Sequence, residues 1–331
     1  MIKLRKTNTV IGIYDFSYAP IALGDCLTWQ INVLVDAKEH KSEQIEYYLL
    51  LDNTEYTNPL QTFLNKENYK DHIIPLMPAF LCNSDLNSIK FFNHRNNFNV
   101  FLGRHLLARG KMWPNFTQHL RSKLDFISHK KINKFFRQHK YIPLLNAPLG
   151  YEDFYKSFYQ KHFQGKTIVS INIRQSVLSS IPRNTFRDSP TQEWVKFIKK
   201  VYQIHPDIVF CVLGGYDEID YSIERRPNVF VMRGNDYHLA HELCVLKNSA
   251  FFMGSSSGFA TMATFSGVPY FICNIQNLAA PHWEIKVGDD HYPFATSQQF
   301  LYWNRETSEV LYEYFLKLLE LQKKSQGVTY G

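Results

Sequence analysis

The chain has 331 residues, 45% of them hydrophobic and 20% charged, with a net charge of +7. That apolar content excludes intrinsic disorder, and 14 Pro with 15 Gly are too few for a collagenous or low-complexity protein. No apolar run approaches the roughly 20 residues that span a bilayer, so the sequence reads as a soluble, at most membrane-associated protein with room for one or two cored domains.

Along the chain, Thr9 to Tyr14 is an apolar run suited to a first strand and not to a signal peptide. A turn-prone stretch through Pro20 and Gly24-Asp25 follows. Leu27, Ile31, Leu34 and Val35 then fall on one helical face, and Ile45 to Leu51 reads as a buried strand ending at Asp52. Strand, loop, helix, strand opens a βαβ unit. Apolar runs at Ile73–Met77 and Phe98–Leu102 are expected to extend the same sheet. Pro114 suits the first turn of a helix reaching about Lys140, with Phe116, Leu120, Leu124, Ile127, Phe135 and Phe136 at spacings near three and four. The loop around Pro143–Gly150 is the expected domain boundary.

The second half alternates more plainly. Strands are expected at Thr167–Ile173, Ile208–Leu213, Val229–Met232, Phe251–Met253 and Tyr270–Cys273. Helices are expected between them at Thr191–Ile204, Tyr237–Lys247 and Phe259–Phe265, and a last one from about Glu306 to Lys323 closes the chain. Continuous apolar strands alternating with amphipathic helices mean a parallel sheet covered on both faces. Five Cys, at 26, 82, 211, 244 and 273, form no CxxC pair and are expected as reduced, buried thiols.

Ligands of open α/β sheets bind beyond the carboxyl ends of the strands, so the residues just after each strand carry the functional reading. Thr167–Ile173 leads into Arg174, Gln175 and Ser176, with Arg183-Asn184 a little further on. Ile208–Leu213 ends in Gly214-Gly215, Val229–Met232 in Arg233, and Phe251–Met253 in Gly254-Ser255-Ser256-Ser257-Gly258 ahead of a helix. Guanidinium groups bind phosphate bidentately, glycines let backbone amides approach, and a helix start favours an anion. The combination suits a diphosphate. Each part has a plainer alternative: GSSSG as an ordinary helix cap, a strand-end Arg as a surface salt bridge. Other signatures fail. There is no P-loop, no GxGxxG after the first strand and no GxSxG elbow; His238-Leu-Ala-His241-Glu242 is not HExxH, and no spaced DxD pair suggests a metal-bridged donor.

Val169-Ser-Ile-Asn-Ile-Arg174, Arg183-Asn184 and the stretch from Leu246 through GSSSGFATMATFSGVP to Asn274 resemble the donor half of GT-B glycosyltransferases. The likeness is to poorly characterised bacterial surface-polysaccharide glycosyltransferases, with a more distant similarity to fucosyltransferase-type HxR enzymes, and it covers about residues 165 to 275. The resemblance implies an α/β fold of two Rossmann-like domains facing across a cleft. The expected division is an acceptor-side domain over 1–148 that includes the basic helix 114–140, a nucleotide-sugar domain over 149–300, and a closing helix in 301–331. It implies that Arg174 holds the donor diphosphate, that Gly254 and Ser255–Gly258 cradle phosphate or ribose, and that Gly214-Gly215 give the nucleotide room. Asn172 stands where His is usual and Gln175 where Asp is usual. Asn keeps a hydrogen bond but carries no charge.

The expected reaction is hexosyl or deoxyhexosyl transfer from a nucleoside-diphosphate sugar, GDP-linked by preference, to a glycan or lipid-linked acceptor. It would invert the anomeric centre without a metal or other cofactor, Arg174, Arg183 and Arg233 meeting the leaving charge. Asp25 is similarly placed to the catalytic Asp of heptosyltransferase-type GT-B enzymes, which would make it the general base; capping the following helix is its plainer role. Asp15 and His94 are the reserves. Arg104 to Lys140 holds ten Lys/Arg against one acid, Asp125. This stretch is either a solvated face or a contact for anionic headgroups or a phosphorylated acceptor, with nucleic acid disfavoured. The expected location is cytoplasmic, on the inner face of the membrane. The alternatives are a non-catalytic nucleotide- or glycan-binding protein, an epimerase, or a pyruvyl-type transferase.

Overall fold

A computed structural model describes residues 8–51, 65, 67–115, 127–175, 187–215, 218–275, 277 and 280–327. The chain divides into two compact units, Met1–Leu145 and Asn146–Gly331. Each is built on its own parallel sheet.

In the first unit β1 (Thr9–Asp15) leads through α1 (Leu23–Glu39) to β2 (Gln44–Leu50). A short α2 (Tyr69–Ile73) and a 3-10 helix (Ile74–Leu81) precede β3 (Leu86–Phe92), α3 (Arg95–Leu107) and β4 (Lys111–Trp113), and α4 (His129–His139) ends the unit. The sheet order is β3-β2-β1-β4. Every residue of α1 from Cys26 to Ala37 is buried, because the helix is walled in by the sheet, the 3-10 helix and α4. Two of its polar members reach across to neighbouring elements: Gln30 Nε2 donates to Ala79 O at 2.7 Å, and Asn32 exchanges bonds with the Ser128 backbone. The approach of α1 to β1 depends on Gly12, where a Cβ would lie 2.7 Å from Val33 Cγ2 and 2.8 Å from Trp29 Cζ2.

Three expectations for this unit need correction. Ile73–Met77 is not a strand: Pro75 and Pro78 remove ladder donors, and the segment forms the 3-10 helix. Phe98–Leu102 lies inside α3, where Phe98 and Leu102, four apart, turn together onto Phe92 and the sheet. The strand expected there is Leu86–Phe92, whose half-exposed pattern hid it. The helix expected over 114–140 is not continuous among the described residues. Lys111–Trp113 pairs with β1, and α4 starts afresh at Ser128, whose Oγ accepts from Lys131 N at 3.2 Å. Phe116, Leu120 and Leu124 lie outside the described residues.

The second unit opens with α5 (Phe154–His162) and then alternates: β5 (Thr167–Asn172), α6 (Thr191–Ile204), β6 (Ile208–Val212), a short α7 (Tyr221–Glu224) and β7 (Val229–Val231). It continues with α8 (Leu239–Asn248), β8 (Phe251–Ser255), α9 (Gly258–Ser266), β9 (Tyr270–Cys273), a short α10 (Ala280–Trp283), β10 (Gln299–Leu301) and α11 (Ser308–Gly327). The sheet order is β10-β9-β8-β5-β6-β7, all parallel. The chain moves one way from β5 to β7 and the other way from β8 to β10. Right-handed crossovers therefore put α6 and α9 on opposite faces. On the first face Trp194, Phe197, Leu311 and Phe315 pack over Val169, Ile171, Phe251 and Met253. Trp194 Nε1 donates to the buried Glu306 at 2.9 Å. All five cysteines are buried and none forms a disulfide, as the sequence led us to expect.

Candidate functional site

Numbered within the second unit, the strand order is 3-2-1-4-5-6, with the reversal between β5 and β8. Such a switch point opens a crevice at the carboxyl ends of its two strands. In register, Asn172 of β5 faces Gly254 of β8 there. A Cβ on Gly254 would sit 2.7 Å from Asn172 O and 2.9 Å from Phe252 Cζ, so only glycine lets the strands close at this seam. Gly254→Ala is expected to cost about 1–3 kcal/mol, read as a lower urea midpoint at unchanged slope. An unchanged midpoint would mean the seam relaxes freely.

The next strand end is tied to the same place. Asn172 Nδ2 donates to Leu213 O at 2.7 Å, and a Cβ on Gly214, whose φ is +131°, would lie 3.1 Å from that nitrogen. Gly214 N donates to Glu242 Oε1 at 2.8 Å. The other oxygen, Oε2, accepts from Arg233 Nε and Nη2, both at 2.8 Å. A completely buried carboxylate on α8 thus anchors the ends of β6 and β7. Burial pushes the Glu242 carboxyl up to about 7, against the lowering effects of Arg233 and the Gly214 amide. Beside it, burial and then His238 and Arg233 push His241 down to about 4.

Arg174 follows β5 by two residues, and its largely buried side chain faces Asp188, Nε to Oδ1 at 3.5 Å. Ser189 N donates to Arg174 O at 2.8 Å, and Gln175 Nε2 donates to Ser189 O. These bonds join the described residues on either side of 176–186; Arg183 and Asn184 lie outside the described residues. Ser257 is the N-cap of α9, its Oγ accepting from Ala260 N at 3.2 Å. That leaves the Gly258 and Phe259 amides at the helix start, where an anion is favoured. Ser255 is buried in β8, while Ser256 is half-buried and bonds Cys273 O through its N–H.

The structure therefore gathers Asn172, Gly214, Gly254 and the Ser255–Gly258 loop at one switch point, with Gly215 adjoining. Arg233 stands two strands away, connected through Glu242. Asn172, Gln175, Ser257 and Arg233 each have a structural partner, and Arg174 has Asp188. Glu242 and Asp188 escaped the sequence reading. The signal for Glu242 was a lone acid in the otherwise apolar ELCVL run, read there only as a failed metal motif.

In the first unit Asp25 sits half-buried in the first turn of α1, three residues after its N-cap, Ala22. It is not the cap. Asp15, at the end of β1, is fully buried and receives Arg95 Nη1 at 2.9 Å, Arg95 Nη2 at 3.2 Å, Ser17 N at 3.0 Å and Ser17 Oγ at 2.7 Å. His94 is exposed at the N-cap of α3. Among the described residues no three His, Cys, Asp or Glu side chains are grouped to hold a metal, and no helix is long and apolar enough to cross a membrane.

No protein-family model matches the sequence, and no curated protein does. Solved structures do match. A family 9 glycosyl transferase from Veillonella parvula is 11% identical, with 96% of this chain aligned to 91% of that one at a TM-score of 0.51. The ADP-heptose lipopolysaccharide heptosyltransferase II of Escherichia coli is 10% identical, with 95% aligned to 99% at a TM-score of 0.59. At such identities the likeness is one of fold. The chain has the GT-B-like fold of two Rossmann-like domains.

Proposed function

We propose that the chain is a glycosyltransferase moving a sugar from a nucleoside-diphosphate sugar to a glycan or lipid-linked acceptor of surface-polysaccharide synthesis. The observation that carries this reading is the β5/β8 switch point. There two side-chain-free positions, Gly214 and Gly254, border a helix start and a strand followed by Arg174. The diphosphate lies on the α9 amides and Arg174, which meet the negative charge that develops on the leaving phosphate. Asp25 takes the proton of the acceptor hydroxyl as its oxygen attacks the anomeric carbon, inverting it and releasing the nucleoside diphosphate. The cation is a guanidinium and not a metal. The sugar is a hexose or deoxyhexose, with a GDP-linked donor first in order. Because a fold neighbour is named for ADP-heptose, ADP-linked donors belong in any panel.

A second reading, a nucleotide- or glycan-binding protein without turnover, is favoured by one observation. Asn172 and Gln175 each spend an amide N–H on a backbone carbonyl, and neither carboxamide can carry charge or take a proton as an acid or base would. Thermal shift with GDP, UDP, ADP, CMP and their sugars, followed by product analysis, separates the two. Arg174→Ala is expected to weaken nucleotide binding by about 1.5–3 kcal/mol, the scale of a charged hydrogen bond. Unchanged affinity in the folded variant would remove the diphosphate from Arg174.

A further inference from the structure

From Leu86 to Tyr151 the chain carries twelve Lys/Arg and a single acid, Asp125. The fold divides these cations into two kinds. Lys90 is paired with Glu46 at 2.7 Å and Arg95 with Asp15. Lys131 is paired with Asp36 and with Glu39 at 3.2 Å, its ammonium 4.4 Å from the centre of the Trp113 ring. These serve the interior of the first unit. Lys130, Lys134 and Arg137, at i, i+4 and i+7 of α4, instead share one exposed stripe, which Lys140 extends. Among the described residues Lys130, Lys134 and Lys140 have no carboxylate partner. Just beyond the helix the stripe meets two outward apolar side chains, Tyr141 at 51% and Leu144 at 45% exposure.

The direction of α4 carries this surface away from the carboxyl ends of the first sheet's strands. Ser128 bonds Asn32 in the middle of α1, and Lys131 reaches Asp36 and Glu39 near its end. Since α1 runs from the carboxyl end of β1 back to the amino end of β2, α4 advances toward the amino ends of the strands. Ligands of such sheets bind at the other ends. The stripe has no substrate role by position. We infer that the outer face of α4, with Tyr141 and Leu144, docks the protein on an anionic lipid surface: the ammonium groups meet headgroup phosphates while the tyrosine and leucine enter the interface. Charge complementarity argues for the occupant, and the adjoining apolar pair argues for a bilayer over a polyanion in solution. The inference stands whether or not the donor reading does.

The test is flotation of the full chain with phosphatidylcholine vesicles, with and without phosphatidylglycerol. Partition is expected only with the anionic lipid and should weaken as salt is raised. At about 1 kcal/mol per cation near the surface, Lys130→Gln with Lys134→Gln is expected to lower partition about 30-fold. Tyr141→Ser with Leu144→Ser should lower it as well. All four positions are exposed, so the fold is expected to survive, which a thermal melt checks. Lys131→Gln is expected to lower the melting temperature and leave partition within about twofold. Failure of the wild type to float, equal binding to neutral vesicles, equal loss in Lys131→Gln, or preference for single-stranded RNA over vesicles would each overturn the inference.

Discussion

Arg233→Met is expected to unfold more easily than the wild type, with a gap about 1 kcal/mol wider at pH 8 than at pH 5. The reason is the carboxylate that Arg233 covers. Glu242 is completely buried, and a buried carboxyl that loses its cation stays protonated in preference to carrying an unpaired charge. Without the guanidinium, Glu242 keeps only the Gly214 amide and holds its proton to a still higher pH. In the wild type the carboxyl already stands at about 7 against an ordinary 4.5. A raised acid binds its proton more tightly in the folded chain than in the unfolded one. The stability it contributes is therefore complete below about pH 4.5 and is lost as the pH climbs through 7. That loss amounts to about 3 kcal/mol across the window. Glu242→Gln has no such proton and is expected to flatten the profile. Urea midpoints of the wild type and both variants from pH 5 to 8 decide it. A wild type equally stable at pH 5 and 7 would mean that Arg233 and Gly214 fully offset the burial of Glu242.

The same cluster shows what the sequence could and could not reveal. β5, β6, β8 and β9 are continuous apolar runs, legible because both faces of the second sheet are covered. The residues after them, Gly214 and Gly254 to Gly258, were legible because glycine at a strand end marks a close backbone approach or an unusual φ. Glu242 and Asp188 were not legible. Glu242 meets Arg233 nine residues before it and Asp188 meets Arg174 fourteen before it, and neither separation is one that a helical or strand period encodes. The first unit was read less well for a related reason. β3 is an edge strand whose Asn87 and Phe91 are exposed, so it lacks the apolar continuity that marked the others. β4 is three residues long, and its pairing with β1, not its composition, makes it a strand. The basic segment looked like one long helix because Phe135 and Phe136 continue the spacing of Phe116 and Leu120. Ser128, held by Asn32 of α1, restarts the helix there, and that anchor lies 96 residues away.

Asp25→Asn is expected to lower the turnover number by about 10²–10⁴, the worth of a positioned general base, while nucleotide affinity stays unchanged. The two aspartates beyond β1 are set apart by their surroundings. Asp15 receives four donors from Arg95 and Ser17 and has no exposed surface; its lone pairs are committed. For it to take a proton, the Arg95 pair would have to break. Asp15→Asn should accordingly act on the fold, costing about 1–2 kcal/mol, since Arg95 loses its anion but is 41% exposed and stays solvated. Asp25 is half-buried and stands in the first turn of α1, where a negative charge is worth about 0.3–1 kcal/mol against the helix dipole. Asn keeps the size of the side chain, and a melting temperature unchanged from the wild type would show that a loss of turnover there is not unfolding. Measuring turnover number, nucleotide affinity and melting temperature for both variants separates the roles. Full turnover in Asp25→Asn would take the base away from α1 and turn attention to His94, the exposed imidazole at the start of α3. Loss of turnover in Asp15→Asn with an unchanged melting temperature would show instead that the Arg95 pair opens during the reaction and that the β1 carboxylate is the base.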